Sequence, residues 1–274
     1  MKYSFLVPVH NKLEEVKRCI KSLQEQTYKD YEIVIVDDAS EEQTKNYLID
    51  LENHFPNIRV IRNEENEGIG KTRNKLIKNG NGKYFIFIDS DDYVEKELLE
   101  KIEECLEKED LDIVRFGNIS EAVTPLQKER EKEKDPYRFS VPGTPTIKGE
   151  EALMKWCMGS NKLNTMPWTY CIKRERYDGV RYPGISYLED FPITHYLIAG
   201  AQKVKAIDYI GYHYLQYDSS LTKETPKDKL ETLEDLILYT KLLLDVCPMN
   251  EYNRILFYRD LDERLEIRQE KHTK

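Results

Sequence analysis

Two periodicities alternate over the first 116 residues. Ser4-Phe5-Leu6-Val7-Pro8-Val9 is a short β-rich run stopped by Pro8 and Asn11, after which Leu13, Val16, Ile20 and Leu23 recur at helical spacing. Ile33-Val34-Ile35-Val36 is a second continuous apolar run, the pattern of a strand buried on both faces. A polar segment with Tyr47, Leu48 and Leu51 leads to a short strand around Ile58-Arg59-Val60-Ile61. A helix is predicted from near Gly70 through Leu76 and Ile77, then a buried strand at Tyr84-Phe85-Ile86-Phe87-Ile88. Leu98, Leu99, Ile102 and Leu106 mark another helix, and Ile113-Val114-Arg115-Phe116 closes the series. This alternation predicts an α/β domain of right-handed βαβ units, a mostly parallel central sheet flanked by helices. Ligands of such sheets bind at the carboxyl ends of the strands, so the residues directly after each strand are the first candidates for chemistry.

Beyond residue 116 the pattern loosens. The mixed-charge run Gln127-Lys128-Glu129-Arg130-Glu131-Lys132-Glu133-Lys134-Asp135 leads into Pro136, Pro142, Gly143 and Pro145, and 120–146 reads as an exposed excursion, a hairpin or a loop. Residues 147–209 are rich in Trp and Tyr. Two amphipathic helices are predicted in 223–274, one carrying Leu233, Leu236, Ile237 and Leu244, the other Ile255, Tyr258, Leu261 and Leu265. The chain thus divides into 1–116, 117–222 and 223–274. The C-terminal helices are expected to pack on the domain or on a second subunit, as in a homodimer. A peripheral membrane contact through one amphipathic face is the alternative.

Composition narrows the classes. Of 274 residues, 39% are apolar and 34% charged, an ordinary interior with a wet surface and not a disordered chain. No run approaches the ~18 apolar residues that span a bilayer. Met1-Lys2-Tyr3-Ser4 enters the first strand directly, so no signal peptide is expected. Cys19, Cys105, Cys157, Cys171 and Cys247 are odd in number and widely spaced, and read as reduced thiols of a cytoplasmic protein. The net charge of −9, from 42 basic and 51 acidic residues, argues against nucleic acid as a partner.

Four polar clusters fall at strand ends: Pro8-Val9-His10-Asn11, Asp37-Asp38-Ala39-Ser40, Asn66-Glu67-Gly68 through Arg73-Asn74, and Asp89-Ser90-Asp91-Asp92. Three carboxylates within four residues repel one another unless a cation is present. A hard divalent ion, Mn²⁺ or Mg²⁺, takes one or two protein carboxylates plus substrate phosphates, which favours a metal over a simple helix cap here. Asp37-Asp38 is ambiguous by itself, between capping the next helix and accepting hydrogen bonds from a nucleotide. Gly68 and Gly70 beside Lys71 and Arg73 suit a diphosphate or equally an ordinary helix start, and neither named glycine-rich phosphate motif is present.

In order and spacing these clusters resemble the successive signatures of the family 2 glycosyltransferases over about the first 115 residues, and Leu188-Glu189-Asp190 extends the resemblance to about residue 222. The resemblance implies a GT-A fold that binds a nucleotide-diphosphate sugar. Pro8, His10 and Asp38 match positions lining the base and ribose, with His10 in place of a frequent Tyr. Asp89 and Asp91 match the D-x-D pair, Asp91 being the stronger candidate for metal contact. Lys71 and Arg73 lie in the nucleotide-side loop. Asp190 matches the general base, with Glu189 beside it. Tyr212-His213-Tyr214 with Ser219-Ser220-Leu221-Thr222 resembles a segment that folds back over the pyrophosphate, where this chain has Leu215, Gln216 and Tyr217 instead of arginines. His213 is a candidate metal or phosphate ligand there, weighed against a purely structural histidine. Trp168, Tyr170 and Tyr187 are candidates for an acceptor-sugar platform, with core as the first reading of Trp168.

The resemblance implies a cytoplasmic, metal-dependent, inverting glycosyltransferase, with a UDP-sugar donor and a glycan or lipid-linked saccharide acceptor in cell-surface polysaccharide synthesis. Any membrane association would then be at the inner face. The alternative from another class is a non-catalytic sugar-nucleotide-binding or scaffold protein on the same fold.

Overall fold

The computed structural model describes residues 1–123, 138–139, 143–158, 166–185, 188–217 and 228–273. The predicted alternation is present through residue 122. It runs β1 (Tyr3–Val9), α1 (Leu13–Gln24), β2 (Tyr31–Asp37), α2 (Glu42–His54), β3 (Ile58–Arg62), α3 (Ile69–Asn79), β4 (Tyr84–Phe87), β5 (Tyr93–Val94), α4 (Leu98–Leu106) and β6 (Ile113–Ala122). There follow β7 (Arg138–Phe139), α5 (Gly149–Cys157), β8 (Tyr170–Lys173), α6 (Asp190–Ala199), β9 (Val204–Gln216), α7 (Asp228–Asp245) and α8 (Glu251–Thr273).

All strands join one sheet in the order β3-β2-β1-β4-β8-β6-β9-β5, with β7 also paired to β6. The β3-β2-β1-β4 half is parallel, as is β6 with β9. The sheet is nevertheless mixed, because β8 enters antiparallel between β4 and β6, and β5 and β7 pair antiparallel at their own edges. Ile113 to Phe116 therefore does not lie beside β4. Nothing local in Tyr170-Cys171-Ile172 distinguishes an inserted antiparallel strand from a parallel one, since either is buried on both faces.

Side chains of the central strands alternate between two cores. Phe5, Val7, Ile33, Ile35 and Ile86 meet Val16, Ile20 and Leu23 of α1, Leu48 of α2 and Ile102 of α4. Leu6, Val34, Val36, Phe85 and Phe87 meet Leu76 of α3, Leu153 of α5 and Phe191 of α6. The same second core takes Leu233, Ile237 and Leu244 of α7 with Phe257 and Leu261 of α8, so the C-terminal helices pack on the domain itself. Ile255 departs from the predicted stripe: it is 60% exposed, and Phe257 is the buried residue.

Pro8 does not stop β1; it pairs with Val36 inside the strand. The Leu6 carbonyl accepts from the Ile88 N–H on the β4 side, and Pro8, two residues on, turns its backbone to that same side. There β4 has already ended at Phe87, so the missing N–H of proline goes unmissed. Residues 120–122 extend β6, and β7 returns antiparallel to it; residues 124–137 of the expected excursion lie outside the described residues. All five cysteines are free and buried. Among the described residues no helix is long and apolar enough to cross a membrane.

Candidate active site

The carboxyl ends of β1, β2 and β4 converge, and backbone strain concentrates around them. Asn11, Lys12, Ala39 and Leu188 are the non-glycine residues at positive φ among the described residues, each within a residue or two of His10, Asp38 or Glu189. Such conformations persist only where surrounding contacts hold them.

His10 is exposed at the end of β1. Its Nδ1 lies 2.7 Å from the Asp38 carbonyl and so donates, which leaves Nε2 to accept from the amides of Asn11 at 3.2 Å and Asn66 at 3.3 Å. The ring thus has a fixed orientation and an open face. Pro8 is buried within β1, two residues before the exposed His10. Asp38 is buried, and its carboxylate accepts from Asn63 Nδ2 at 2.7 Å and from the N–H groups of Glu67 at 2.8 Å and Gly68 at 2.9 Å. It therefore shapes the 66–68 loop that leads into α3. Lys71 is exposed on the first turn of that helix.

Arg73 is different from what its loop position implied. Helical periodicity turns it to the buried face of α3 with Gly70 and Leu76, and it is 4% exposed. Its Nη1 donates to Glu189 and its Nη2 to Asp89 at 3.3 Å, between the rings of Phe87 and Tyr182. Arg73 joins the donor-side carboxylate to the segment that starts α6, and it is not a free cation for a diphosphate. Glu189 is correspondingly occupied as Arg73's partner, which leaves Asp190 as the carboxylate of the two without that ion pair. Asp190 is half-buried at the first turn of α6. Burial and the neighbouring Glu189 charge outweigh Arg73 and push its carboxyl up to about 8.

The turn after β4 is tied to β9. Asp89 N–H donates to the Tyr212 hydroxyl at 3.2 Å, and that hydroxyl donates to Asp92 at 2.6 Å. Asp92 also accepts from Leu215 N–H at 2.8 Å; it is fully buried, and burial raises its carboxyl well above the usual range. Asp92 thus has a structural function, which leaves Asp89 and Asp91 as the partly exposed carboxylates of the turn, each side chain 28% exposed and each paired with one cation. Lys12 Nζ donates to Asp91 Oδ2 at 2.9 Å, and Arg18 Nη2 to the Asp91 carbonyl at 2.5 Å. Among the described residues no three His, Cys, Asp or Glu form a metal cage. A Mg²⁺-type ion does not need one, because it is held by one or two carboxylates with substrate phosphates, and Asp91 with Asp89 fits that donor set.

Two expected ligands are not brought to this turn. His213 follows Tyr212 on β9 and so points to the opposite face of the strand. Its Nδ1 lies 2.5 Å from Glu121, its Nε2 2.8 Å from Glu95, and its ring stacks on Tyr93, so it has no nitrogen left for a metal. Trp168 is 3% exposed and stacks on Tyr212 at 4.2 Å and Tyr214 at 5.5 Å, so it is core and offers no face to a sugar. Tyr170 is buried as well. Tyr187 and Ser219 to Thr222 lie outside the described residues. Lys12 and Arg18, which contact Asp91, had no signal in the sequence, whereas Tyr212 and Tyr217 lie in or beside the segment that the resemblance singled out. The 73-residue separation of Arg18 and Asp91 leaves no local signal.

A curled mixed sheet with acidic turns at the ends of its parallel strands is the architecture of the GT-A glycosyltransferases. Residues 4–177 match the profile described as Glycosyl transferase family 2, and the chain belongs to that family. The glycosyltransferase EpsJ of Bacillus subtilis, itself uncharacterized, is 29% identical over 230 residues, which cover 80% of this chain but 62% of EpsJ. TarS of Staphylococcus aureus, a poly(ribitol-phosphate) β-N-acetylglucosaminyltransferase, is 33% identical over 117 residues, 42% of this chain and 20% of TarS. The crystal structure of TarS residues 1–349 with UDP-GlcNAc superposes with a TM-score of 0.77 at 20% identity, covering 96% of this chain and 72% of that one. The mannosyltransferase PcManGT of Pyrobaculum calidifontis, solved with GDP-Man and Mn²⁺, gives 0.61 at 13% identity over 94% of this chain and 69% of that one.

Proposed function

We propose that this chain is a metal-dependent inverting glycosyltransferase that moves a sugar from a UDP-sugar to a hydroxyl of a glycan or lipid-linked saccharide in surface-polysaccharide synthesis. The observation that carries this reading is the Arg73 bridge, which brings Asp89 of the turn after β4 and Glu189 beside Asp190 to opposite sides of one guanidinium. A donor-side carboxylate and the neighbour of the candidate base thereby meet at one side chain.

The roles divide as follows. The open face of His10 stacks on the base, and Lys71 adds positive charge at the mouth of the site. Asp91 and Asp89 hold Mn²⁺ or Mg²⁺, which when bound supplies Lewis-acid charge to the departing diphosphate. Asp190 accepts the acceptor hydroxyl's proton on its carboxylate as that oxygen attacks the anomeric carbon opposite the leaving group. A carboxyl pushed up to about 8 is a stronger proton acceptor than an ordinary aspartate. The bound donors of TarS and PcManGT and the polymeric acceptor in the TarS name support the substrate classes. Five free thiols accord with a reducing cytoplasm.

The test is calorimetric titration of UDP, with GDP and dTDP as controls, in Mn²⁺ and in EDTA, on the wild type and on Asp91→Asn. Metal-dependent UDP binding that weakens in the variant is expected, followed by loss of sugar transfer in Asp190→Asn. Absence of nucleotide binding under every condition sinks the donor-site assignment and leaves a scaffold on the same fold.

A further inference from the structure

Lys12 has no role in the scheme above, yet the backbone is strained to aim it. Asn11 (φ 59°) and Lys12 (φ 58°) are consecutive non-glycine residues in the left-handed region, a conformation that costs about 1–2 kcal/mol per L-residue. The strain is held from outside: Asn11 N–H donates to Ser40 Oγ at 2.8 Å, and Asn11 Oδ1 accepts from Glu41 N–H at 2.8 Å. The consequence is that the Lys12 ammonium stands on Asp91 Oδ2, 79 residues away. The Tyr217 ring lies 5.5 Å from the same nitrogen, and Arg18 Nη2 donates both to the Tyr217 hydroxyl at 2.8 Å and to the Asp91 carbonyl at 2.5 Å.

Asp91 is thus gripped at two points with different consequences. Arg18 holds its peptide carbonyl and fixes the turn. Lys12 occupies the carboxylate itself, where a divalent ion would bind. An ammonium and a divalent ion at the same oxygen repel each other, so the two compete. The Lys12 side chain is 43% exposed, so its head can leave for solvent or for a ligand.

We propose that Lys12 is a tethered counter-cation of the donor site, a positioning and binding residue that nothing in the family signature specifies. Without metal it neutralises Asp91. When a divalent ion takes that carboxylate, the ammonium moves on its flexible stem to the diphosphate of the donor. This inference rests on the reading of Asp91 as the metal-side carboxylate and of the donor as a nucleoside diphosphate.

Two affinities of opposite sign test it on the full chain: Mn²⁺ without nucleotide, by electron paramagnetic resonance of the free ion, and UDP at saturating Mn²⁺, by calorimetry. Removing an exposed ion pair in Lys12→Met should tighten Mn²⁺ binding about two- to fivefold. Losing a charge-assisted contact to phosphate should weaken UDP at saturating Mn²⁺ about tenfold in the same variant. Lys12→Arg, which restores the cation on the same strained backbone, should keep UDP affinity close to the wild type. Mn²⁺ affinity that falls or stays level in Lys12→Met overturns the proposal, as does Lys12→Arg losing UDP affinity like Lys12→Met. A wild type that binds neither probe overturns the donor-site reading and this inference with it, whereas a wild type that binds both, with unaltered variants, overturns this inference alone.

Discussion

Arg73 and Glu189, 116 positions apart, form a buried ion pair in which the other arm of the same guanidinium reaches Asp89. The planar fork suits this double engagement in a way that a lysine point charge does not. Glu189, the buried member of the two carboxylates, has its charge compensated there by the guanidinium.

Truncating that guanidinium should therefore be expensive. Arg73→Met leaves Glu189 buried and unpaired, a change that typically costs about 3–5 kcal/mol. Denaturant unfolding should show this loss, and the double variant Arg73→Met with Glu189→Gln should recover a substantial part of it. If the double variant is as unstable as the sum of the singles, the pair is not coupled as described.

His213 separates a structural role from a metal role. Both its ring nitrogens are engaged by Glu121 and Glu95 on the face of β9 opposite Tyr212. His213→Gln should lower thermal stability while leaving Mn²⁺-dependent UDP affinity within about twofold, inside the spread of substitutions remote from a site. Asp91→Asn should do the reverse. A His213→Gln variant that loses metal-dependent binding would restore the histidine as a ligand.

Gly70 tests the close approach of α3 to the loop that precedes Asp190. A Cβ at this position would lie 2.0 Å from the Pro183 carbonyl oxygen. Alanine gains about 1 kcal/mol of helix propensity over glycine, but overpacking against backbone costs about 1–3 kcal/mol. The clash should win, and Gly70→Ala should melt at lower temperature than the wild type. A rise in melting temperature would mean that the 183–185 loop yields freely.

Much of the frame was legible because its signals are local. The runs at Ser4–Val9, Ile33–Val36 and Tyr84–Ile88 are the parallel strands, and the polar residues after them do converge. What escaped was decided by partners far along the chain. Arg73 looked like a phosphate cation because the loop around Gly68 and Gly70 is local, whereas its pairing with Glu189, 116 residues on, is not. Charge alone did not separate Asp92 from Asp89 and Asp91; the resemblance did, and its bonds to Tyr212 and Leu215 give the physical reason. Trp168 could be platform or core from its type alone; the stacking on Tyr212 and Tyr214 decided it. The antiparallel entry of β8 had no sequence signature, since burial on both faces looks the same in either direction.

Asp190 carries a prediction in which activity and stability move oppositely with pH. Burial and Glu189 raise its carboxyl from 3.8 to about 8, so near neutrality a substantial fraction is protonated and cannot accept the acceptor's proton. The kcat/KM profile should therefore rise with pH through a limb centred near 8, and Asp190→Asn should abolish that limb and lower transfer by about 10²- to 10⁴-fold. For stability the sign is the opposite. Between 3.8 and about 8 the folded chain holds a proton that the unfolded chain has released, so this group's contribution declines as pH rises through that window. Subtracting the Asp190→Asn unfolding curve from that of the wild type at each pH cancels the slopes of the carboxylates remote from Asp190. The difference should fall from acid to neutral and level off above about 8. A flat difference, or a catalytic limb that survives in Asp190→Asn, would show that another group takes the proton.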